Sequence, residues 1–530
     1  MPGRPELIIG FVGPAGVRMN DLVKATGDYL KQFTYKSEEI HLSTLLKNYT
    51  GWTEPESASE DKRILNGQKM GRAFRHDMQN GEALALAALA EIRKRRIENE
   101  LSRKPDVPVD SCAYLLNQLK HPMEVSLLRR VYGSSFVLIA GHAPNSKRAE
   151  YLAQKIAGSQ NRMRNDDDLA NAKNIIRIDE EEADNIGPDK YGQNTRATYP
   201  LADMFTDRTE LSGEYETRRF VDLLFGHPFF SPKPAEVAMY HAHAGGLRSS
   251  DESRQVGAVI VNVTEKGDRP SNVDVIATGA NEVPKRGGGF YWDGGLESPD
   301  ARDQSLIYLN ANDDRALNIK KSVLDQLLVI FKRKEWFKEP IQSTQTADLI
   351  KELVVSDLKD TQFMNIGEFQ RQVHAEMAAI IDAARRGVAV DGTSMYVTTF
   401  PCHNCGKHII AAGIRHVVYL EPYPKSRVEM LHKEEVLIEP AENSGTNGPP
   451  KVVFSPYTGI APRQYQRLFS MSGRGKKQFL MLREWGEKRS TLSPQYLVSN
   501  AAASYLLNER EALAKLDDKH YTWDRKAICP

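Results

Sequence analysis

The stretch from His374 to Cys405 limits what this chain can fold into more than any other. It runs His374-Ala375-Glu376, then a helix-length apolar segment, then Pro401-Cys402-His403-Asn404-Cys405. One imidazole and two thiolates are donors that zinc prefers, and three protein ligands leave a fourth position open, as a catalytic site requires. The intervening residues suit that arrangement. His374–Arg386 (HAEMAAIIDAARR) is Ala-rich and helix-forming, and Gly387 stands where a C-terminal cap belongs. Ser394–Thr399 (SMYVTT) predicts a short strand. Pro401 favours a helix start, so Cys402 and Cys405 fall in the first turn of a second helix, where thiolate is favoured. A further strand is predicted over Val417–Leu420. Two helix starts then face one another around one ion.

The pattern H-x-E followed by P-C-x-x-C is the signature of zinc-dependent nucleobase deaminases, in which the glutamate is not a ligand. Glu376 lies too close to His374 to share its direction. It is free to take a proton from water, pass it to the ring nitrogen and later protonate the leaving amine. Two blander readings compete: a structural zinc knuckle, and a redox Cys-x-x-Cys with an unrelated histidine. The upstream His-x-Glu, the proline before Cys402 and the helix-strand-helix spacing favour the catalytic reading. His403 and His408 are ligands by type only; the first is expected at the surface or behind the ligands, the second in helix packing.

At 530 residues the chain should form two or three domains. Its 40% hydrophobic and 27% charged residues are those of a globular protein. A formal net charge of +1 gives no global attraction for a polyanion, so no DNA substrate is expected. Beyond the two proposed ligands only Cys112 and Cys529 remain, which argues for a reducing, cytoplasmic setting. No apolar run suggests a membrane span, and Leu7–Val12 reads as a buried strand rather than a signal peptide.

Leu7–Val12 leads into Gly13-Pro14-Ala15-Gly16 and a helix from about Asn20 to Phe33, the context of a phosphate-binding loop. The lysine and hydroxyl of a full Walker A are absent, since Val17-Arg18-Met19-Asn20 follows Gly16. Phosphoryl transfer is therefore not expected, while nucleotide binding at Gly13 and Gly16 remains open. Strands over Phe136–Ile139 and Asn174–Ile178 alternate with helices over Ala83–Arg96 and Ser146–Ala157, which predicts a parallel α/β sheet. The basic run Arg93–Arg96 is flanked by acids and reads as a solvated helix end; Asp179–Asp184 likewise reads as surface. A Pro-rich junction, His227–Pro234, marks a boundary. Beyond it come a helix over Ala235–Leu247 and a hairpin of Gln255–Val263 with Asp274–Ala280, leading to a three-layer α/β/α order. An insertion of about 287–367 contains a helix over Lys320–Lys332. Ala441–Pro450 reads as a flexible loop and Lys451–Ser455 as a returning strand. Expected domains are thus 1–226, 227–475 and a peripheral helical extension, 476–530.

Several segments carry a closer resemblance: Ser253–Ala258 (SRQVGA), Thr278–Pro284 (TGANEVP), and the His374 and Pro401 motifs. With them the C-terminal half resembles the deoxycytidylate deaminases. Leu119–Val125, Val131–Gly133, Tyr191–Gln193 and Phe369–Met377 extend the likeness, so that nearly the whole chain is similar to bacterial anti-phage dCTP deaminases (AvcD-like). That resemblance implies an N-terminal P-loop NTPase or kinase-like parallel-sheet domain joined to a cytidine-deaminase-like domain. It implies conversion of dCTP and dCMP to deoxyuridine nucleotides, depleting dCTP during phage infection. His374, Cys402 and Cys405 would hold one zinc per chain, with Glu376 catalytic. Asn281 and Ala375 would touch the substrate, although Asn281 serves equally well as a residue holding the turn before Pro284. A regulatory nucleotide with Mg2+, a homo-oligomer, and a small RNA or protein inhibitor are further implications. Two alternatives are a nucleic-acid cytosine-editing deaminase, which needs a basic aromatic channel, and a nucleotide-sensing switch with a vestigial site. Glu376 argues against the second, since a vestige has no need of the non-ligand acid.

Overall fold

In the computed structural model the described residues are all except 1–3, 100–101, 185–190, 210–212, 252–253, 267–268, 294–301, 303–313, 360, 362, 365, 423–425, 440–449, 471–481, 496–502, 515, 517–518 and 529–530. The expected Ala441–Pro450 loop (all but Pro450), the hairpin tip, Ser253 and Cys529 lie outside them. Twelve strands among the described residues form two six-stranded sheets. They are β1 (Leu7–Val12), β2 (Lys36–His41), β3 (Cys112–Asn117), β4 (Phe136–His142), β5 (Met204–Asp207), β6 (Gly257–Lys266), β7 (Arg269–Ala280), β8 (Ser394–Thr399), β9 (His416–Glu421), β10 (Val436–Ile438), β11 (Val452–Pro456) and β12 (Gly459–Ile460).

The first sheet has the order β12-β5-β4-β1-β3-β2. All its pairings are parallel except β12 with β5. β1 is apolar throughout because helices cover both faces. Its Leu7, Ile9 and Phe11 join a core with Leu22 and Phe33, while Ile8 and Val12 enter the opposite core with Leu86 and Leu128. The helix Met19–Leu30 follows the Gly13–Gly16 turn as expected. Asn174–Ile178 is not a strand: it lies inside the helix Asp166–Asp184. Ala172, Ile175 and Ile176 form one helical face packed on Leu152 and Ile156, and that spacing outweighs the strand preference of clustered isoleucines.

The second sheet has the order β10-β11-β9-β8-β6-β7. β8 to β11 are parallel, and β6 pairs antiparallel with both β7 and β8. The hairpin strands run longer than expected toward their turn. Along β6, Ala258 and Ile260 face the helices Ala375–Arg385 and His403–Ala411, while Val259 and Val261 face the helix Pro234–Gly246. This is a three-layer α/β/α arrangement with both metal-motif helices on one face. In the insertion, the helix Arg315–Arg333 packs with Thr346–Val355. No helix among the described residues is long and apolar enough to cross a membrane.

Two surface expectations fail for one reason. Arg93 and Arg96 are fully buried, and the C-terminal residues Tyr505, Glu509 and Trp523 are buried against the first sheet's helices rather than peripheral. Arg96 sends Nη2 to Glu6 Oε2 (2.8 Å) and Nη1 to Glu509 Oε2 (2.6 Å); Arg93 Nε donates to the Ala527 carbonyl (2.5 Å). Glu6 is 90 residues away and Glu509 and Ala527 more than 400, beyond the reach of local charge patterning. Removing one member of a buried pair strands its partner's charge. Arg96→Ala should therefore cost about 3–5 kcal/mol in urea unfolding, whereas Arg95→Ala, at a partly exposed pair, should cost about 1 kcal/mol or less.

Candidate active site

Each donor of the metal motif sits at a helix start, because the sequence interrupts its helices there. His374 is the N-cap of Ala375–Arg385, and Cys402 is the N-cap of His403–Ala411, one position earlier than the first-turn placement expected from Pro401. Cys405 lies in that helix's first turn. Gly279 on β7 explains how close the first helix can come. A Cβ there would lie 2.1 Å from the Ala375 carbonyl oxygen, so only glycine lets the helix start rest on the strand.

The three donors converge. His374 Nδ1 is 3.3 Å from Cys402 Sγ and 3.4 Å from Cys405 Sγ, and all three donor atoms lie within 4.8 Å of one another. Zn–N and Zn–S bonds of roughly 2.0 and 2.3 Å at a tetrahedral angle require an N···S separation of about 3.5 Å. The donor set fits zinc, and it is the one such three-donor cluster among the described residues. Electrostatics agree. The Cys402 thiol is held well below its usual range, first by a hydrogen bond from Cys405 and then by His374, while Cys405 is pushed up. His374 is pushed up by its bond to Cys402. Both shifts favour a thiolate beside an imidazolium, and a cation held by the three donors would displace that proton.

Glu376 is 4% exposed, and burial pushes its carboxyl up to about 7. A carboxylic acid that exchanges its proton near neutrality beside three metal donors is suited to shuttle protons.

Asn281 and Glu282 follow β7, and Glu282 bridges to the residue before His374. Asn281 Nδ2 donates to Asp251 Oδ2 (3.1 Å) and to the Arg254 carbonyl (2.9 Å), and its Oδ1 accepts from Val256 N (2.8 Å). Its amide thus ties together Asp251, Arg254 and Val256, with one acceptor lone pair left. Glu282 pairs with Val373 through two backbone bonds (3.2 and 3.0 Å), which fixes the residue preceding His374. The Glu282 carboxylate accepts from Ser250 N (3.1 Å) and Ser250 Oγ (2.9 Å). Ala375 is wholly buried in the core, so only its backbone is available at the helix start. Gly13 and Gly16 belong to the first sheet's loop and are not brought to this centre. Sequence reasoning missed Asp251, the bracing by Glu282 and the half-buried Glu421, which pairs with Arg254 at 3.4 Å. Glu282 lies within the TGANEVP segment and Asp251 just before SRQVGA, whereas Glu421 is distant from both in sequence.

Residues 232–421 match the family model described as the cytidine and deoxycytidylate deaminase zinc-binding region. The deoxycytidylate deaminase of Enterobacteria phage T2 is 45% identical over 58 residues, 11% of this chain and 31% of that protein. ComE operon protein 2 of Bacillus subtilis is 43% identical over 75 residues, 14% of this chain and 39% of that protein. The chain thus spans about a third of the length of these relatives. A crystal structure of dCMP deaminase from the cyanophage S-TIM5 in apo form aligns with 15% identity and a TM-score of 0.21, covering 43% of this chain and 99% of that one. Residues 232–421 are thus similar to the zinc-binding region of cytidine and deoxycytidylate deaminases.

The raised Glu376 carboxyl carries a sign that can be measured. Its neutral form is favoured in the folded state, so metal-free protein loses stability as pH rises from the unfolded carboxyl value of about 4.5 through about 7. Glu376→Gln removes that loss. Its melting temperature relative to wild type should climb between pH 4.5 and pH 8; a pH-independent difference would contradict the buried-acid assignment.

Proposed function

We propose that this chain hydrolyses the exocyclic amine of free deoxycytidine nucleotides, converting dCMP and dCTP to dUMP and dUTP with release of ammonia. The observation that carries the reading is the buried Glu376 carboxyl beside the His374–Cys402–Cys405 donor cluster. Water adds at C4 of the cytosine ring, a C–O bond forms, and the C–N bond to the amine then breaks. Bound zinc would supply the Lewis acidity that makes water reactive near neutral pH. Glu376 takes the proton that water gives up, delivers it to the ring nitrogen, and returns a second proton to the departing amine. His374, Cys402 and Cys405 hold the ion. The Ala375 N–H at the open helix start and the unused lone pair of Asn281 are the polar groups offered to the base or sugar.

Free nucleotides are favoured over polymers because a net charge of +1 provides little of the cationic surface that a strand requires. The relatives named deoxycytidylate deaminase point to the same substrate class. Activity on dCTP would deplete the triphosphate pool on which phage replication draws, which is the defensive role this reading assigns.

Ammonia release should be followed with zinc-loaded protein supplied with dCMP, dCTP or single-stranded DNA. Release is expected from both nucleotides and not from DNA. Glu376→Ala should keep its zinc and lose activity by at least about a hundredfold. Deamination of DNA with none of dCMP or dCTP would sink the proposal, as would full activity of the Glu376→Ala protein.

A further inference from the structure

A cavity of about 130 Å³ lies where the two sheets meet. It is lined by Gln255 before β6, Thr398 on β8 and Glu421 at the end of β9, by His243 of the helix Pro234–Gly246, and by Arg463 just after β12. A junction between two packed units is a common place for a small ligand. At roughly 30 Å³ per water the space holds about four waters, enough for a phosphate group and too little for a nucleoside.

Two guanidinium groups attend the one carboxylate of this cavity. Arg254 pairs with Glu421 at 3.4 Å, and its side chain is 46% exposed, open to a further partner. Arg463 donates Nη1 to the Leu201 carbonyl at 3.0 Å and Nη2 to the Pro200 carbonyl at 3.2 Å, and no carboxylate pairs with it among the described residues. It is reachable from solvent, while the surrounding protein and the nearby Arg129 charge lower its pKa. A cation crowded in this way gains from an anion. Glu421 alone would repel one, but Arg254 holds it and the surrounding protein pushes its carboxyl up, so it accepts a proton readily when a phosphate claims Arg254.

The order of these groups follows the order of atoms in a nucleotide. Asn281, whose remaining lone pair is offered to the base or sugar, donates Nδ2 to the Arg254 carbonyl at 2.9 Å. The Arg254 guanidinium comes next, and the following residue, Gln255, already lines the cavity. Glu421 is fastened to the metal motif as well: its carbonyl accepts from Phe400 N at 2.7 Å, two residues before Cys402. Arg463 is the cation that the other sheet's segment adds to the same space.

We propose that Arg254 and Arg463 read the phosphates of the nucleotide substrate, Arg254 taking the phosphate next to the sugar and Arg463 the outer phosphates of dCTP in the cavity between the sheets. Guanidinium suits this role because it meets phosphate oxygens in pairs. The inference rests on the deaminase reading and adds which side chains tell dCTP from dCMP.

Ammonia release by the full, zinc-loaded chain gives kcat and KM for deoxycytidine, dCMP and dCTP. Arg463→Met should raise KM for dCTP at least about tenfold more than KM for dCMP, the effect falling on KM rather than kcat. Arg254→Met should lower kcat/KM for both nucleotides at least about tenfold relative to deoxycytidine, and Arg254→Lys should recover part of the loss. Inorganic triphosphate should compete with dCTP; inhibition that Arg463→Met leaves untouched would place the phosphates elsewhere and overturn the assignment. If wild type deaminates both nucleotides and Arg463→Met keeps the same dCTP-to-dCMP ratio of kcat/KM, this inference falls and the deaminase reading stands. Release from dCMP alone overturns the outer-phosphate subsite, and release from neither nucleotide overturns the reading together with the inference. Should Arg463→Met not melt cooperatively, Glu421→Gln is the second variant: removing the acid should raise the dCTP-to-dCMP ratio, and an unchanged ratio overturns the proposal.

Discussion

A buried ion pair links the two sheets at their junction. Arg219, on the helix Gly213–Leu224 of the first sheet, meets Glu236, on the first helix of the second, with Nη1–Oε1 at 2.6 Å and Nη2–Oε2 at 2.9 Å. The Glu236 carboxylate also accepts from Lys233 N (2.7 Å) and Ile460 N (2.9 Å). Three remote stretches of chain therefore share one carboxylate, and each depends on its staying charged and in place. Such a bidentate, fully hydrogen-bonded pair is the form in which a buried charge is tolerated. Gly459 belongs to the same junction. A Cβ there would lie 3.1 Å from Glu236 Oε1, and its φ of +126° suits glycine.

What the sequence made legible was local. The spacing from His374 to Cys405 encodes two helix starts, and the helices form where the propensities and caps place them, to within a residue. The hairpin ahead of it and the apolar β1 were equally readable, because side-chain alternation and two-sided burial leave a mark within a few residues. The failures share a different character. Arg93, Arg96 and Asp179 look like solvent-facing charges because a charge is judged by its neighbours in sequence. Their actual neighbours are Glu509, Ala527 and Ala15, brought in by the tertiary fold. Asn174–Ile178 failed more narrowly: its helical face becomes visible only when the window reaches back to Ala172.

The convergence of His374, Cys402 and Cys405 was legible in the sequence, and the contacts that brace them were not. Asn281 was singled out for contact with a substrate, while its geometry shows an amide that ties together Asp251, Arg254 and Val256. The two roles are compatible, since one lone pair of its oxygen stays free of these contacts. Glu282 acts beside it on Val373. Two consecutive residues therefore hold Asp251, Arg254 and Val256 on one side and the residue preceding the first metal donor on the other. A precise donor triangle demands such bracing, because ligand geometry is only as good as the shell that fixes it.

The brief strand β12 has a consequence for how the molecule comes into being. It adds to the edge of a sheet whose other five strands all lie before Gly257, and it follows every strand of the second sheet. Glu509, a second counter-charge of Arg96, arrives later still. During synthesis the first sheet therefore keeps an open edge, and Arg96 keeps only Glu6 as its counter-charge, until the second sheet has left the ribosome. The sequence of the second sheet is nested within that of the first, whose packing is completed when Tyr505 and Glu509 meet Glu6 and Arg96.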